Sequence, residues 1–199
     1  MKKFILTLLC LSIVSFTFAQ TNDNSETNAH LTFKGIPIDG TPASFGSKLK
    51  ANGFTYDMEL DGTIWYKGSF AGYYDCQVAV KSNNNLVYEI VVLFPKSYSW
   101  SHLYNTYTSL KDMLTTKYGE PSSSREEFIN TPSYMNIEDD NDKFYEVKND
   151  RCLYYSNFVC LKGGLGTITM EIKKSCCVAL FYTDYLNELA KESAAINDL

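Results

Sequence analysis

The chain has 199 residues, 45% of them hydrophobic, and its 23 acidic side chains outnumber 18 basic ones, for a formal net charge of -5. That composition can bury a core, and it lacks the basic excess that would draw the protein to nucleic acid or to an anionic membrane. With two histidines and no second long apolar run, imidazole-based chemistry and a helical membrane span both start from little material.

Met1-Lys2-Lys3 is a short basic head, Phe4 to Phe18 is almost wholly apolar, and Thr17-Phe18-Ala19 places small residues where a signal peptidase reads before Gln20. This pattern predicts a cleaved signal peptide over residues 1–19 and an exported protein, periplasmic or extracellular, soluble after cleavage. The apolar run is about 15 residues, short of the ~20 that span a bilayer. Leu8-Leu9 ahead of Cys10 are bulky where lipoprotein signals take small residues. Loss of Lys2 and Lys3 moves the net charge from -5 to -7. Residues 20–30, QTNDNSETNAH, are polar and aperiodic and read as a disordered leader, with order beginning near Leu31.

Thr41-Pro42 starts a helix over 42–51, carrying Phe45 and Leu49 on one face and ending at Asn52-Gly53. From Thr55 the period changes to two. Strands are expected near 55–60, 63–71, 73–81 and 86–94, divided by Asp61-Gly62 and Asn83-Asn84-Asn85. Links this short make an antiparallel meander.

Ser99 then caps a second helix in which Leu103, Tyr107, Leu110 and Leu114 form a stripe, closed by Gly119 and Pro121. Ser122–Phe128, Phe144–Phe158, Gly166–Lys174 and Cys176–Thr183 read as four more strands, with a turn at Lys162-Gly163-Gly164. Residues 185–199 read as a C-terminal helix or tail. The order helix plus four strands thus occurs twice, over 31–97 and 98–184, and an offset of 88 aligns Tyr66 with Tyr154, Val92 with Leu180 and Phe94 with Tyr182. The fold class expected is α+β: two tandem helix-plus-four-strand antiparallel units, helices on one face of the sheet.

The second unit carries an insert near 130–143, within an acidic stretch from Glu126 to Asp150. It lacks the alternation and the glycine of a calcium loop, and reads as a solvated, mobile insert. Cys152 and Cys160 lie eight apart, while Cys176-Cys177 are adjacent, so no four-ligand zinc set converges. Cys76 reads as a small buried hydrophobe, with a disulfide among Cys152, Cys160 and Cys176 the alternative in an exported protein. His102 falls off the apolar stripe of its helix and reads as a surface residue. Gly163-Gly164-Leu165-Gly166 precedes a strand and has no lysine, which makes it a hairpin turn instead of a phosphate loop. No metal, cofactor or catalytic set is expected. Asp75, Glu89 and Glu171 leave carboxylate-based hydrolysis as a remote alternative.

Fifteen tyrosines, twelve phenylalanines and two tryptophans exceed what such a core needs, and residue parity sorts them. Tyr74, Cys76, Val78, Val80, Ile90, Val92 and Phe94 make one apolar face. The opposite face carries Trp65, Lys67, Tyr73, Asp75, Gln77 and Glu89, then Tyr155, Asn157, Thr169, Glu171 and Phe181. A sheet face mixing aromatics with single charges has the composition of a binding surface, although tyrosine is also an ordinary strand residue. The binding residues expected are Trp65, Tyr73, Asp75, Glu89, Tyr155, Glu171 and Phe181.

This succession of elements resembles the architecture of the β-lactamase inhibitor protein family over about residues 31–184. The resemblance implies a non-enzymatic role in which the open sheet is laid against a protein or peptide partner. An envelope structural or adaptor protein is the other expectation.

Overall fold

The computed structural model describes residues 29–132, 136–161 and 164–197. The expected signal peptide, most of the expected leader, and Lys162-Gly163 of one expected turn lie outside the described residues.

A two-residue hairpin, β1 (Thr32–Phe33) and β2 (Ile36–Pro37), precedes α1 (Pro42–Ala51). Thr41 caps α1 by accepting from Ser44 N, and Pro42 fills the first helical position. Four strands follow: β3 (Thr55–Leu60), β4 (Thr63–Phe70), β5 (Tyr73–Asn83) and β6 (Leu86–Leu93). Their turns, Asp61-Gly62, Ala71-Gly72 and Asn84-Asn85, hold both central residues at positive φ, the backbone that matches strand twist in two-residue hairpins.

Ser99 caps α2 (Trp100–Tyr118), and Gly119 ends it at φ 90°. Then come β7 (Ser123–Phe128), α3 (Asp140–Lys148), β8 (Cys152–Cys160), β9 (Gly166–Lys173), β10 (Cys177–Asp184) and α4 (Tyr185–Asn197). The protein is α+β. Its large sheet is antiparallel and eight-stranded, in the order β3-β4-β5-β6-β10-β9-β8-β7. Its centre is the β6·β10 pair, where Val92 lies opposite Leu180.

One face of this sheet meets the helices. Phe45 and Leu49 of α1 and Leu103, Tyr107, Leu110 and Leu114 of α2 join Val78, Val80, Ile90, Val92, Phe158, Ile168, Met170, Val178 and Leu180 in a single core. Helix α1 approaches β4 through Gly46, where an added Cβ would stand 1.9 Å from Tyr66 Oη. Tyr107 donates to or accepts from Ser156 Oγ at 2.9 Å inside the core, and burial pushes its phenol well above the usual range.

Within the acidic stretch residues 140–148 form helix α3, and strand β8 begins at Cys152 instead of Phe144, while residues 133–135 of the expected insert lie outside the described residues. Asp139 caps α3, and Asp142 answers with its side chain on the cap backbone, a capping box that satisfies the free amides of the first turn. Asp140 reaches across to the start of α2, accepting from Trp100 N at 3.1 Å and Ser101 N at 2.6 Å. Ser101 Oγ also donates to it. Those hydrogen bonds hold the Asp140 carboxyl below its ordinary range. Glu146 is fully buried and takes Arg151 in a two-pronged contact at 2.7 Å on each oxygen, with Thr131 donating at 3.2 Å.

Order also begins earlier than Leu31. The buried Asp184 carboxylate accepts from Leu31 N at 2.7 Å and Asn187 N at 2.9 Å, and pairs with His30 Nδ1 at 3.0 Å. One carboxylate therefore fastens the start of the chain and caps α4, so residues 29 and 30 belong to the fold and not to a disordered leader.

Two measurements check these assignments. Hydrogen bonds and the charge of Arg151 hold the Glu146 carboxyl below its ordinary value, so its contribution is complete above that value and is lost as pH falls through the lower, folded one. Glu146→Gln is expected to lower the melting temperature by about 5 °C above about pH 5, and the gap to wild type closes as pH drops below about 4. Gly46→Ala is expected to cost about 1–3 kcal/mol in chemical denaturation, with part of the loss recovered in the Tyr66→Phe background, where the clashing hydroxyl is gone.

Candidate functional site

The large sheet's second face carries no part of the α1 and α2 core, and the strand register orders its side chains in rows. One row reads Met58, Trp65, Ala79, Val91, Phe181, Thr169, Asn157 and Ser123. The next reads Lys67, Gln77, Leu93, Ala179, Glu171, Tyr155 and Arg125. Glu89 stands opposite Lys81 and Thr183 in a third. Trp65, Glu89, Tyr155, Glu171 and Phe181 are thus on this open face, all half-buried.

The middle of the face is small and tightly covered. Ala79, Val91 and Ala179 are 1%, 5% and 0% exposed although no helix of the core lies above them. In register, Ala79 and Val91 lie between Trp65 and Phe181, and Ala179 lies between Leu93 and Glu171. Phe181 in turn lies under two ammonium groups, Lys81 at 6.0 Å and Lys173 at 5.7 Å from the ring centroid. Each lysine is steered by a carboxylate: Lys81 by Glu89 and Lys173 by Glu171, both at 2.6 Å. Lys67 pairs with Asp57 at 2.7 Å. The charges expected to stand singly are therefore largely paired, Lys81 and Lys67 across strands and Lys173 within β9, which lets them flank an aromatic ring at little desolvation cost.

Tyr73 is not on the open face. Between Gly68 and Phe70 the β4·β5 register shifts, so that Tyr74 and Asp75 together oppose Ser69, and Asp75 takes φ 57°. This bulge inverts the alternation ahead of Cys76. Tyr73 turns inward against Phe94, 5.2 Å between ring centroids and nearly perpendicular, and Tyr74, expected inside, is 77% exposed. Asp75 stays outside, at the end of the face and away from the Trp65–Phe181 row.

Beside the bulge lies a cavity of about 650 Å³, lined by Lys67, Asp75, Gln77, Leu93, Phe94, Pro95, Lys96, Ser175 and Cys177. Periodicity alone does not reveal it, because its walls come from the bulge, the β6–α2 link and the β9–β10 turn. A marker was present in the composition of that link: Pro95, Lys96, Ser97 and Tyr98 interrupt every period. Tyr98 is 88% exposed.

Of the three carboxylates considered for hydrolysis, Glu89 and Glu171 are engaged by lysines and Asp75 alone lines the cavity. Among the described residues no cluster of three or more His, Cys, Asp or Glu side chains is arranged to hold a metal. No described helix is long and apolar enough to cross a membrane. Cys76, Cys152, Cys160, Cys176 and Cys177 are all free thiols, so the disulfide considered above is not formed. Burial pushes Cys76 and Cys160 up to about 11 and Cys152 to about 12. His102 is a surface residue as expected, its Nδ1 2.9 Å from Ser97 Oγ.

No protein-family model matches the chain, and no curated protein and no solved structure matches it either.

The bulge makes adjacent tyrosines separable. Tyr73→Ala is expected to cost about 2–4 kcal/mol, as removal of a packed aromatic does, while Tyr74→Ala stays within about 0.5 kcal/mol of wild type. Urea denaturation of the two variants checks this.

Proposed function

We propose that this protein is an exported, non-enzymatic binding module that recognises a protein or peptide partner through the open face of its large sheet. The observation that carries the proposal is the uncovered row in which Trp65 and Phe181 flank small, close-packed residues, with Tyr155 beside Glu171 in the next row. Aromatics held rigid by register and by paired charges present large contact area with little entropy left to lose on binding. Export rests on the sequence of residues 1–19.

The proposal includes a two-unit reading of the fold, α1 with β3–β6 and α2 with β7–β10. The mirrored strand order and the position of Val92 opposite Leu180, partners at the offset of 88, favour it. Such an arrangement is similar to that of β-lactamase inhibitor proteins, and an inhibitor-like use of the sheet face is the form of binding we propose.

A second reading, an envelope adaptor that associates with itself, is favoured by edge strand β3, where Tyr56, Met58 and Leu60 are 53%, 42% and 55% exposed. Unpaired backbone next to exposed apolar side chains is a template for another strand.

The test is affinity capture of residues 20–199 from envelope and secreted fractions of the protein's own cells. A reproducible protein partner is expected, lost with Trp65→Ala and Tyr155→Ala while both variants keep a melting temperature near wild type. Capture that survives both substitutions would remove the open-face reading. Growth of the scattering mass with concentration, abolished by Met58→Lys, would favour the adaptor.

A further inference from the structure

The open face keeps its central charges in pairs, and two side chains at one end depart from that pattern. Lys67, Lys81 and Lys173 each hold a carboxylate. Asp75 and Lys96 have no ionic partner among the described residues, and both line the 650 Å³ cavity with Leu93, Phe94 and Pro95. The two most exposed large apolar side chains among the described residues, Tyr98 at 88% and Tyr74 at 77%, are their chain neighbours: Tyr74 precedes Asp75, and Tyr98 follows Lys96 by two.

Solubility alone accounts for a lysine and an aspartate at the end of a sheet. It does not account for two tyrosines held in water beside them, nor for a bulge that spends a left-handed aspartate to turn Tyr74 outward. A charge of each sign beside an apolar lining is complementary to a ligand that carries both signs around an apolar body.

We infer that this cavity binds a short zwitterionic peptide, its carboxylate on Lys96, its ammonium on Asp75 and its apolar side chains against Leu93, Phe94 and Pro95. The Gln77 amide and the Ser175 hydroxyl line the same space and are the groups for the peptide's backbone. Tyr74 and Tyr98, the exposed chain neighbours of Asp75 and Lys96, are the aromatic surface nearest in sequence to those two charges. The volume of about 650 Å³ lies within the ~300–1,000 Å³ of small-ligand sites. The inference rests on the peptide-binding reading above and gives it a ligand class.

Titration calorimetry with leucyl-phenylalanine, its N-acetyl form, its C-terminal amide and the doubly blocked form tests it. The free dipeptide is expected to bind tightest, and removal of either charge weakens binding about fivefold, the effect of one part-exposed ion pair. Lys96→Met makes the protein indifferent to amidation, and Asp75→Asn makes it indifferent to acetylation, both with unchanged melting temperatures. Equal affinity for all four probes, the absence of binding at millimolar peptide, or charge dependence that persists in both variants overturns the inference. If a captured protein partner depends on Trp65 while no dipeptide binds, the cavity inference fails and the open-face reading stands. If the dipeptide binds with this charge dependence while no partner is captured, the cavity inference stands by itself.

Discussion

The antiparallel pairing of β6 with β10 is the contact on which the rest of the molecule depends. It is the one seam between strands β3–β6 and strands β7–β10, and it serves both faces at once. Ile90, Val92, Leu180 and Tyr182 point from it into the core, while Val91, Ala179 and Phe181 form the middle of the open face. A slip by one residue would exchange these sets, putting isoleucine and leucine in water and alanine against the helices. The seam therefore fixes the sheet's width, and with it the separation of its two edges. The β7 edge is defended by Arg125, Glu126 and Glu127, whereas the β3 edge keeps Tyr56, Met58 and Leu60 exposed.

Carboxylates supply much of what the seam does not. Asp184 ties the start of the chain to the end of the sheet, Asp140 holds α3 to the first turn of α2, and Glu146 closes the turn into β8 through Arg151. Asp184 and Glu146 accept backbone amides or a guanidinium while fully buried, where such hydrogen bonds are stronger than at the surface. Three side chains of an acidic composition that first looks like solvated surface are thus structural ties. Asp140 also anchors the first turn of α2, the longest helix among the described residues.

Periodicity exposed the regular elements. The changes from 3.6 to 2 at Thr55 and back at Ser99 placed α1, α2 and the strands β3–β6 within a residue or two, because each rests on a face that is buried in one direction. Trp65, Tyr155, Glu171 and Phe181 followed from the same parity. What parity could not reach were departures from it. A single bulge residue, Asp75, reversed the faces of Tyr73 and Tyr74, and no local residue choice announced it. Helix α3 was obscured by charge, although Asp139 and Asp142 stand at capping-box spacing ahead of Phe144 and Val147. His30 looked like part of a polar leader because its partner is 154 residues away. Long-range polar contacts of this kind leave no periodic trace.

The free thiols among the described residues have a bearing on the protein's reactivity. With Cys76, Cys152 and Cys160 pushed up to about 11 or 12 by burial, only about one part in ten thousand or less of each is thiolate at neutral pH. Exchange reactions need the thiolate, so these three thiols react slowly with oxidants. Burial here does the work of a protecting group.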